Sequence, residues 1–372
     1  MSERTVHVAR KLLPLALAPW LRWIRQGRWA AAAIFGSYDA GVLALWIKVM
    51  LARPQSGNGL LADALVPLLV LSGVSLLVRA LCVIDAFRPR VGEMESHGRA
   101  VLRRLSRDMK GIFGIAVLLA LVYLAVAAPL LADDPMIMVF SETLKAPSAN
   151  HFLGTDLYGR DIFSRIAFGA RATLGIGLAA TFFNIVLGAT LGLVAGFFGG
   201  LADAVIMRIL EILNSIPFLM LAILIVSVFG SSIPMLILVL SVFVLQPARI
   251  VRGQVLDLRA KEYITAAIAL GAHPARVLFR HILPNLLSTI LVVASIRVGQ
   301  NILSLAGLSF LGMGIAPPAP SWGSMLQEGR AYIQGAPWLG IFPGLFIFVT
   351  VLAFNLFGDS LRDALDPRLK GS

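Results

Sequence analysis

The side chains that could do chemistry are concentrated in two polar stretches of an otherwise apolar chain. The first stretch is HFLGTDLYGRDIF, and its polar and glycine positions are His151, Gly154, Thr155, Asp156, Gly159, Arg160 and Asp161. One histidine with scattered carboxylates does not define a metal geometry, so we predict no metal site here. Glycines that turn the chain, with charges between them, are more typical of a hydrogen-bonded loop, which is the interpretation we favour.

The second stretch is KEYITAAIALGAHPARVLFRHILPN, residues 261–285, and it carries basic residues and two histidines. Good helix formers occupy 257–270, and Gly271 is a natural helix stop. Pro274 suits the first turn of another helix, and Pro284 lies where the next apolar segment begins. The pattern predicts a short helix, a sharp turn and a second helix. Periodicity alone leaves a solvated loop equally open.

Sequence motifs for catalysis are missing from the chain. It contains no G-x-x-x-x-G-K-[ST] phosphate loop, no HExxH pair and no GxSxG nucleophile turn. Without a phosphate loop the chain lacks the usual cradle for ATP. We therefore predict a protein that is not an enzyme and that holds no cofactor of its own.

Composition indicates a membrane protein. Hydrophobic residues make up 58% of the 372 residues and charged residues 14%, whereas soluble domains carry roughly a quarter charged residues. So much apolar surface cannot be hidden in a water-soluble core, and the bilayer is the predicted solvent. The net charge of +12 is typical of basic cytoplasmic loops, so we predict no nucleic-acid partner. A single cysteine, Cys82, excludes an internal disulfide.

Uncharged runs of about 20 residues predict membrane-spanning helices. We predict six such helices, located at 111–132, within 172–202, two within 212–248, at 286–312 and at 341–358. The run 212–248 is too long for one helix, and its FGSSIP segment at 229–234 predicts a tight turn between two. The predicted fold class is an all-α integral membrane protein.

The first 103 residues predict a further membrane-associated region. Segments 29–51 and 60–84 are apolar enough to span, and the ARPQSGNG linker between them predicts a turn. The alternative is that both segments lie at the membrane interface, because each holds charged residues that are costly at depth. Segment 10–28 mixes Trp and Leu with Arg, which predicts a helix on the membrane surface.

The distribution of Lys and Arg predicts the orientation. Segments 1–29, 85–110 and 249–280 are rich in these residues and fall on one side of the predicted helices, together with the basic C-terminal residues. The positive-inside rule makes that side the cytoplasm, so both termini and the second polar stretch are predicted to be cytoplasmic. The opposite face receives 133–171 and 313–340.

The second polar stretch resembles the EAA motif of bacterial ABC importer permeases. The match begins at Thr265-Ala266-Ala267, passes Gly271 and ends at Pro284. Thr265 stands where the family has Glu, although Glu262 lies one turn away, and His281 stands where it has Ile. In that family the segment is the coupling helix that docks on the ATPase subunit. For 257–284 the resemblance implies this role for Glu262, Thr265, Ala266, Ala267, Gly271, Arg276, His281 and Pro284.

Other segments are similar to the peptide/nickel permease family, C-type subunit, which is the dipeptide and oligopeptide permease kind. These segments are 104–135, 151–177, 309–326 and 354–371. They occur in the family's order, so the resemblance covers 104–371. We therefore expect a permease domain at 104–372 and an N-terminal extension at 1–103.

The resemblance implies a six-helix type I permease core, here extended by about two N-terminal helices, in the bacterial cytoplasmic (inner) membrane. It implies the transmembrane permease subunit of an ABC importer for di- or oligopeptides, with the 151–161 loop near the translocation mouth. The implied partners, besides membrane lipid, are a homologous B-type permease, two ATPase subunits that hold ATP and Mg, and a periplasmic or lipid-anchored substrate-binding protein. A nickel or metal-chelate importer is the alternative. A secondary transporter is less favoured, because such proteins use buried carboxylates and the predicted spans hold few.

Arg297 is a further candidate functional residue. It follows Pro284 by roughly 20 Å along the predicted helix, and an arginine at that depth is not expected to face lipid. Arg297 therefore either pairs with a group on another helix or lines the translocation path.

Two other patterns predict packing rather than function. Arg208 and Glu211 are three residues apart near a helix start, which predicts an ion pair. Glycines that recur every four residues predict a close helix contact, and they are Gly188, Gly192, Gly196 and Gly200.

Overall fold

The computed structural model describes residues 104–105 and 108–365. The predicted surface helix 10–28 and the predicted spans 29–51 and 60–84 lie outside the described residues. The division between an extension at 1–103 and a permease domain at 104–372 therefore stays a prediction.

The described residues form α-helices that we number α1 to α10. Their bounds are α1 Met109–Leu131, α2 Ile162–Phe198, α3 Gly200–Ser215, α4 Phe218–Phe229, α5 Ile233–Ser241, α6 Leu245–Arg259, α7 Glu262–Ala269, α8 Pro274–Phe310, α9 Trp322–Gly329 and α10 Trp338–Leu365. A π-helical turn lies within α8 at Val277–Ile282, and short 3-10 turns lie at Phe140–Glu142 and Arg330–Tyr332. Within 104–105 and 108–365 the chain forms no β-strand, only one isolated bridge.

Within the described part of the chain, four helices, α1, α2, α8 and α10, are long and apolar enough to cross a membrane. The bent pairs α3–α4 and α5–α6 raise this number to six if each pair forms one span. The bends measure 82° and 43°. The all-α, multi-pass fold class predicted from the uncharged runs is therefore confirmed.

The run 212–248 contains more breaks than the one predicted at 229–234. That break is confirmed, since α4 ends before Gly230 at φ +82° and α5 begins after it. A second break lies at Ile216, which is extended because the following Pro217 disfavours helical backbone. A third separates α5 from α6, where the ring of Pro247 would clash with the carbonyl of Phe243 in a continuous helix.

The long helix α2 packs tightly against α6 through three of the four glycines in the predicted stripe. A Cβ atom on Gly188 would lie 2.7 Å from the Pro247 ring, and one on Gly196 would lie 2.8 Å from Val255 Cβ. A Cβ atom on Gly192 would lie closer still, against the backbone of α6 at Ala248. Gly200 does not belong to the contact, because the helix ends at Phe198 and Gly200 starts α3 in open space. The predicted packing role therefore holds for the three glycines of α2 that contact α6, and not for Gly200.

One apolar cluster joins the four long helices α1, α2, α8 and α10. Its buried members include Leu121 of α1, Leu174 of α2, Ile302 of α8 and Ile347 of α10. Trp322 of the short helix α9 is fully buried in the same cluster, and its indole N–H donates to the Ile166 carbonyl at 3.0 Å. This packing attaches α9, which follows the loop after α8, directly to the start of α2.

Candidate functional site

The 257–284 segment contains the end of α6, the whole of α7, a sharp turn and the start of α8. The single helix predicted for 257–270 is wrong, because α6 ends at Arg259 and α7 begins only at Glu262. Lys261 between them is extended, with φ −73° and ψ 139°. The break lets α7 turn so that Ile264 is fully buried in one cluster with Val255 and Val277. Burial of this apolar side chain gives a reason for the bend that local helix propensity cannot reveal.

Gly271 ends α7 as predicted, at φ +80°. Its N–H donates to the Ile268 carbonyl at 2.9 Å, and the Ala272 N–H donates to the Ala267 carbonyl at 3.0 Å. These two bonds form a Schellman cap, in which a left-handed residue closes the helix. The second helix begins at Pro274 as predicted; it is the start of α8 and includes the π-helical turn at Val277–Ile282.

Most of the predicted docking residues lie on the surface of this segment. Glu262, Thr265, Ala266, Gly271, Arg276 and Pro284 are exposed, while Ala267 and His281 are half-buried. Two strongly exposed apolar side chains lie among them. Leu270 is 89% exposed and Phe279 is 67% exposed. The segment therefore presents small and apolar side chains on a surface that also carries basic ones.

The first polar stretch forms the hydrogen-bonded loop that its glycines and charges predict. Gly154 and Gly159 both have positive φ, at +84° and +69°, so each turns the chain where L-residues are strained. Thr155 is buried, and its hydroxyl accepts a hydrogen bond from the Lys145 N–H at 2.8 Å. Asp161 caps α2 by accepting from the Ser164 N–H at 2.8 Å.

Four charged side chains, three of them buried, form a cluster at this loop. Asp156 accepts from Arg160 Nε and from Arg165 Nη1, each at 2.6 Å. Arg165 also donates to both carboxylate oxygens of Glu328 on α9, at 2.7 Å and 3.1 Å. The side chains of Asp156, Arg160 and Arg165 are 2%, 6% and 3% exposed. Two cations and two anions therefore balance, with Asp156, Arg160 and Arg165 buried and Glu328 25% exposed.

His151 lies between two carboxylates, Asp161 of the same loop and Glu142 of the preceding 3-10 turn. Its Nδ1 lies 3.0 Å from Asp161 Oδ1, and its Nε2 lies 2.9 Å from Glu142 Oε2. A protonated imidazole donates to both. The hydrogen bond with Asp161, followed by the one with Glu142, raises the pKa of His151 above its usual value. The hydrogen bonds of Lys145 and His151 lower the pKa of Glu142.

Sequence reasoning missed three partners of the loop. Arg165 lies within the stretch that resembles the permease family and closely follows the loop, so the sequence could have indicated it as a partner. Glu142 precedes His151 by nine residues and belongs to no recognisable pattern. Glu328 lies 163 residues from Arg165, so no local spacing could have paired them.

Arg297 lines a cavity of about 660 Å³ between α3, α4, α5, α6 and α8. Its Nε is buried, and it has no hydrogen-bond partner among the described residues. Arg249 also lines the cavity and donates to Glu211 at 2.7 Å. The predicted pair of Arg208 with Glu211 is therefore wrong, because the bundle brings a residue of α6 to Glu211 instead.

Comparisons with known proteins identify the family. A family model described as the inner membrane component of a binding-protein-dependent transport system matches residues 188–371. The chain is 43% identical over 278 residues to the dipeptide transport system permease protein DppC of Alkalihalophilus pseudofirmus, which covers 73% of this chain and 90% of that relative.

Glutathione transport system permease proteins named GsiD are also similar. The protein from Pectobacterium atrosepticum is 48% identical over 227 residues, covering 61% of this chain and 75% of the relative. The protein from Escherichia coli O157:H7 is 43% identical over 272 residues, covering 72% and 90%. The chain therefore belongs to the inner membrane components of binding-protein-dependent transport systems, the permease subunits of ABC transporters, and is a multi-pass transport subunit rather than an enzyme.

Proposed function

We propose that this chain is the permease subunit of an ABC importer for di- or oligopeptides, and that it forms part of the translocation pathway. The observation that carries the proposal is the similarity over 90% of the dipeptide permease's length. The similar glutathione permeases agree with it, because glutathione is itself a small peptide. The cavity beside α8 is consistent with a peptide substrate, because its lining combines apolar with polar side chains.

The surface of the 257–284 segment is the proposed coupling site. Leu270 and Phe279 are apolar and strongly exposed, and they suit insertion into a groove of an ATPase subunit. Ala266 is small and exposed, so the partner can approach the helix closely. Thr265 replaces the motif's Glu, and Glu262 is exposed one turn earlier, where it can supply a carboxylate to the partner.

Movement of α7 can be transmitted to the cavity through buried contacts. Ile264 of α7 packs in one cluster with Val255 of α6 and Leu286 of α8. The same two helices carry Arg249 and Arg297 at the cavity wall. ATP-driven closure of two ATPase subunits would therefore displace α7 and the walls together, as a rigid-body transition. ATP and Mg belong to those partner subunits.

The orientation follows from the basic residues and belongs to the proposal. The 257–284 segment and both termini face the cytoplasm, and the loop around His151 faces outward. A periplasmic or lipid-anchored binding protein would dock near that loop, which the ion cluster of Asp156 and Arg165 holds to α9 through Glu328. A homologous B-type permease completes the pathway.

The test is reconstitution of the complete transporter in proteoliposomes with its ATPases, second permease and binding protein. We expect ATP-dependent uptake of a labelled dipeptide, with hydrolysis stimulated by that dipeptide. Nickel supplied in place of peptide should not accumulate. Uptake of nickel without uptake of any peptide would contradict the substrate class, and ATP turnover by this chain alone would contradict the division of labour.

A variant pair tests the coupling site. Gly271→Val places a β-branched residue at φ +80°, which costs about 1–3 kcal/mol of local strain. We expect this variant to reach the membrane but to lose ATPase pull-down and uptake, while Arg276→Ala, at an exposed position, loses less. If both variants bind the ATPases and transport like the parent, the segment is only a solvated loop.

A further inference from the structure

A polar stripe crosses the middle of the apolar helix α8. Arg297, Gln300, Asn301 and Ser304 are spaced by three and four residues, so they lie on one face of the helix, and all four line the 660 Å³ cavity. The helix continues from Arg297 for roughly 20 Å to its end at Phe310. Polar groups at this depth of a spanning helix are costly unless a partner or a water-filled path satisfies them.

Part of the stripe has protein partners, but Arg297 has none among the described residues. The Asn301 amide donates to Thr181 Oγ1 at 2.9 Å. Arg249 across the cavity is 54% exposed and is engaged with Glu211. No carboxylate is among the described lining residues, and Arg297 forms no ion pair within 104–105 and 108–365. Of the two arginines in this lining, Arg249 is paired and Arg297 has no carboxylate partner among the described residues.

The remaining lining restricts what fits. Phe218 and Phe243 stack edge to face at 5.2 Å on the side formed by α4 and the turn before α6. Gln246 and Gln300 are exposed and offer amide groups that match the donors and acceptors of a peptide bond. The guanidinium is the group that best matches a carboxylate, because its fork can donate two parallel hydrogen bonds.

We infer that Arg297 binds the C-terminal carboxylate of the transported peptide while the peptide occupies this cavity. The inference rests on the proposed function and adds to it a residue that selects for free peptide acids during passage through the membrane. A guanidinium in partly desolvated surroundings binds a carboxylate more strongly than it does in water, and the bond is lost when a neutral group replaces the carboxylate. Transport should therefore discriminate between a peptide and its C-terminal amide at this position.

The experiment compares two substrates in two permeases. The reconstituted complete transporter carries either the parent chain or Arg297→Gln, and uptake is measured for a dipeptide and for the same dipeptide with an amidated C-terminus. The binding protein has its own preference between the peptide acid and the peptide amide. That preference is the same in both transporters, so it cancels when the acid-to-amide uptake ratio of the variant is divided by that of the parent. Arg208→Gln is the matched control, because Arg208 is an exposed arginine that does not line the cavity.

The expected result is a fall of roughly tenfold or more in the acid-to-amide uptake ratio for Arg297→Gln. Arg208→Gln should leave the ratio unchanged. Arg297→Lys keeps the charge without the fork, so its ratio should lie between those of the parent and Arg297→Gln. If Arg297→Gln does not assemble, the comparison of the parent with Arg297→Lys decides, and an equal ratio overturns the inference.

Other outcomes separate this inference from the proposed function. Equal losses for acid and amide would mean that Arg297 pairs with a carboxylate of the second permease or with a lipid phosphate, and would overturn the inference while peptide transport stands. Absence of uptake of either peptide by the parent transporter would overturn the proposed function itself. A fall in the acid-to-amide ratio for Arg297→Gln supports both the inference and the proposed function, and a rise overturns the inference.

Discussion

Replacing Asp156 with asparagine should destabilise the end of the bundle that carries the 151–161 loop by about 3–5 kcal/mol, the usual cost of removing one partner from a buried ion pair. The Asp156 side chain is 2% exposed and accepts from Arg160 and Arg165 at 2.6 Å each. Asparagine keeps the shape but removes the charge, so two buried guanidinium groups retain only Glu328. The Glu328 carboxylate is 25% exposed and lies 3.4 Å from Arg160, so it stabilises the positive charge of Arg160 only weakly.

The measurement is the free energy of unfolding of the purified chain in mixed micelles. Glu142→Gln is the matched control, because it removes a carboxylate that contacts the same loop. The Glu142 side chain is 29% exposed, so the loss of stability should be much smaller. The double variant Asp156→Asn with Arg165→Gln should be less destabilised than the sum of the single variants by about 0.5–3 kcal/mol. Additive effects, or an Asp156→Asn variant as stable as Glu142→Gln, would refute the idea of a charge-balanced cluster.

Three further outcomes follow from other parts of the molecule. Leu270→Ser changes a side chain that is 89% exposed, so folding should be unaffected while pull-down of the ATPases weakens; unchanged pull-down would remove Leu270 from the coupling site. His151 has a raised pKa, so its stabilising contribution is present below its ordinary value and is lost as pH rises through the raised one. The stability difference between the parent and His151→Gln should shrink as pH rises from about 6 to about 9, and a constant difference would contradict the ion pairs. In a background without the native cysteine, Ser148→Cys should react with an impermeant thiol reagent from outside and Ala269→Cys should not; both positions are exposed, and the reverse pattern would invert the orientation.

The sequence by itself determined which segments are helical enough to span and where one turn must lie. The predicted spans 111–132 and 286–312 lie within or close to α1 and α8, because about 20 uncharged residues leave a chain few alternatives in a bilayer. Gly271 ends its helix as predicted, because a left-handed backbone position selects glycine locally. The family was also readable, because its motifs recur in order along the chain and the comparisons confirm them.

Only the tertiary structure decided which charges meet. Arg165 and Glu328 are 163 residues apart, and they pair because buried Trp322 attaches α9 to the start of α2. Glu211 pairs with Arg249 rather than with the nearby Arg208, since the packing of the bundle, and not helix spacing, sets that distance. Arg297 was recognisable as costly from its depth alone, but whether it is paired or lines a cavity depends on what the neighbouring helices present to it. Helix formation follows from a chain's immediate neighbours, whereas the partner of a buried charge is set by contacts between segments that no sequence spacing records.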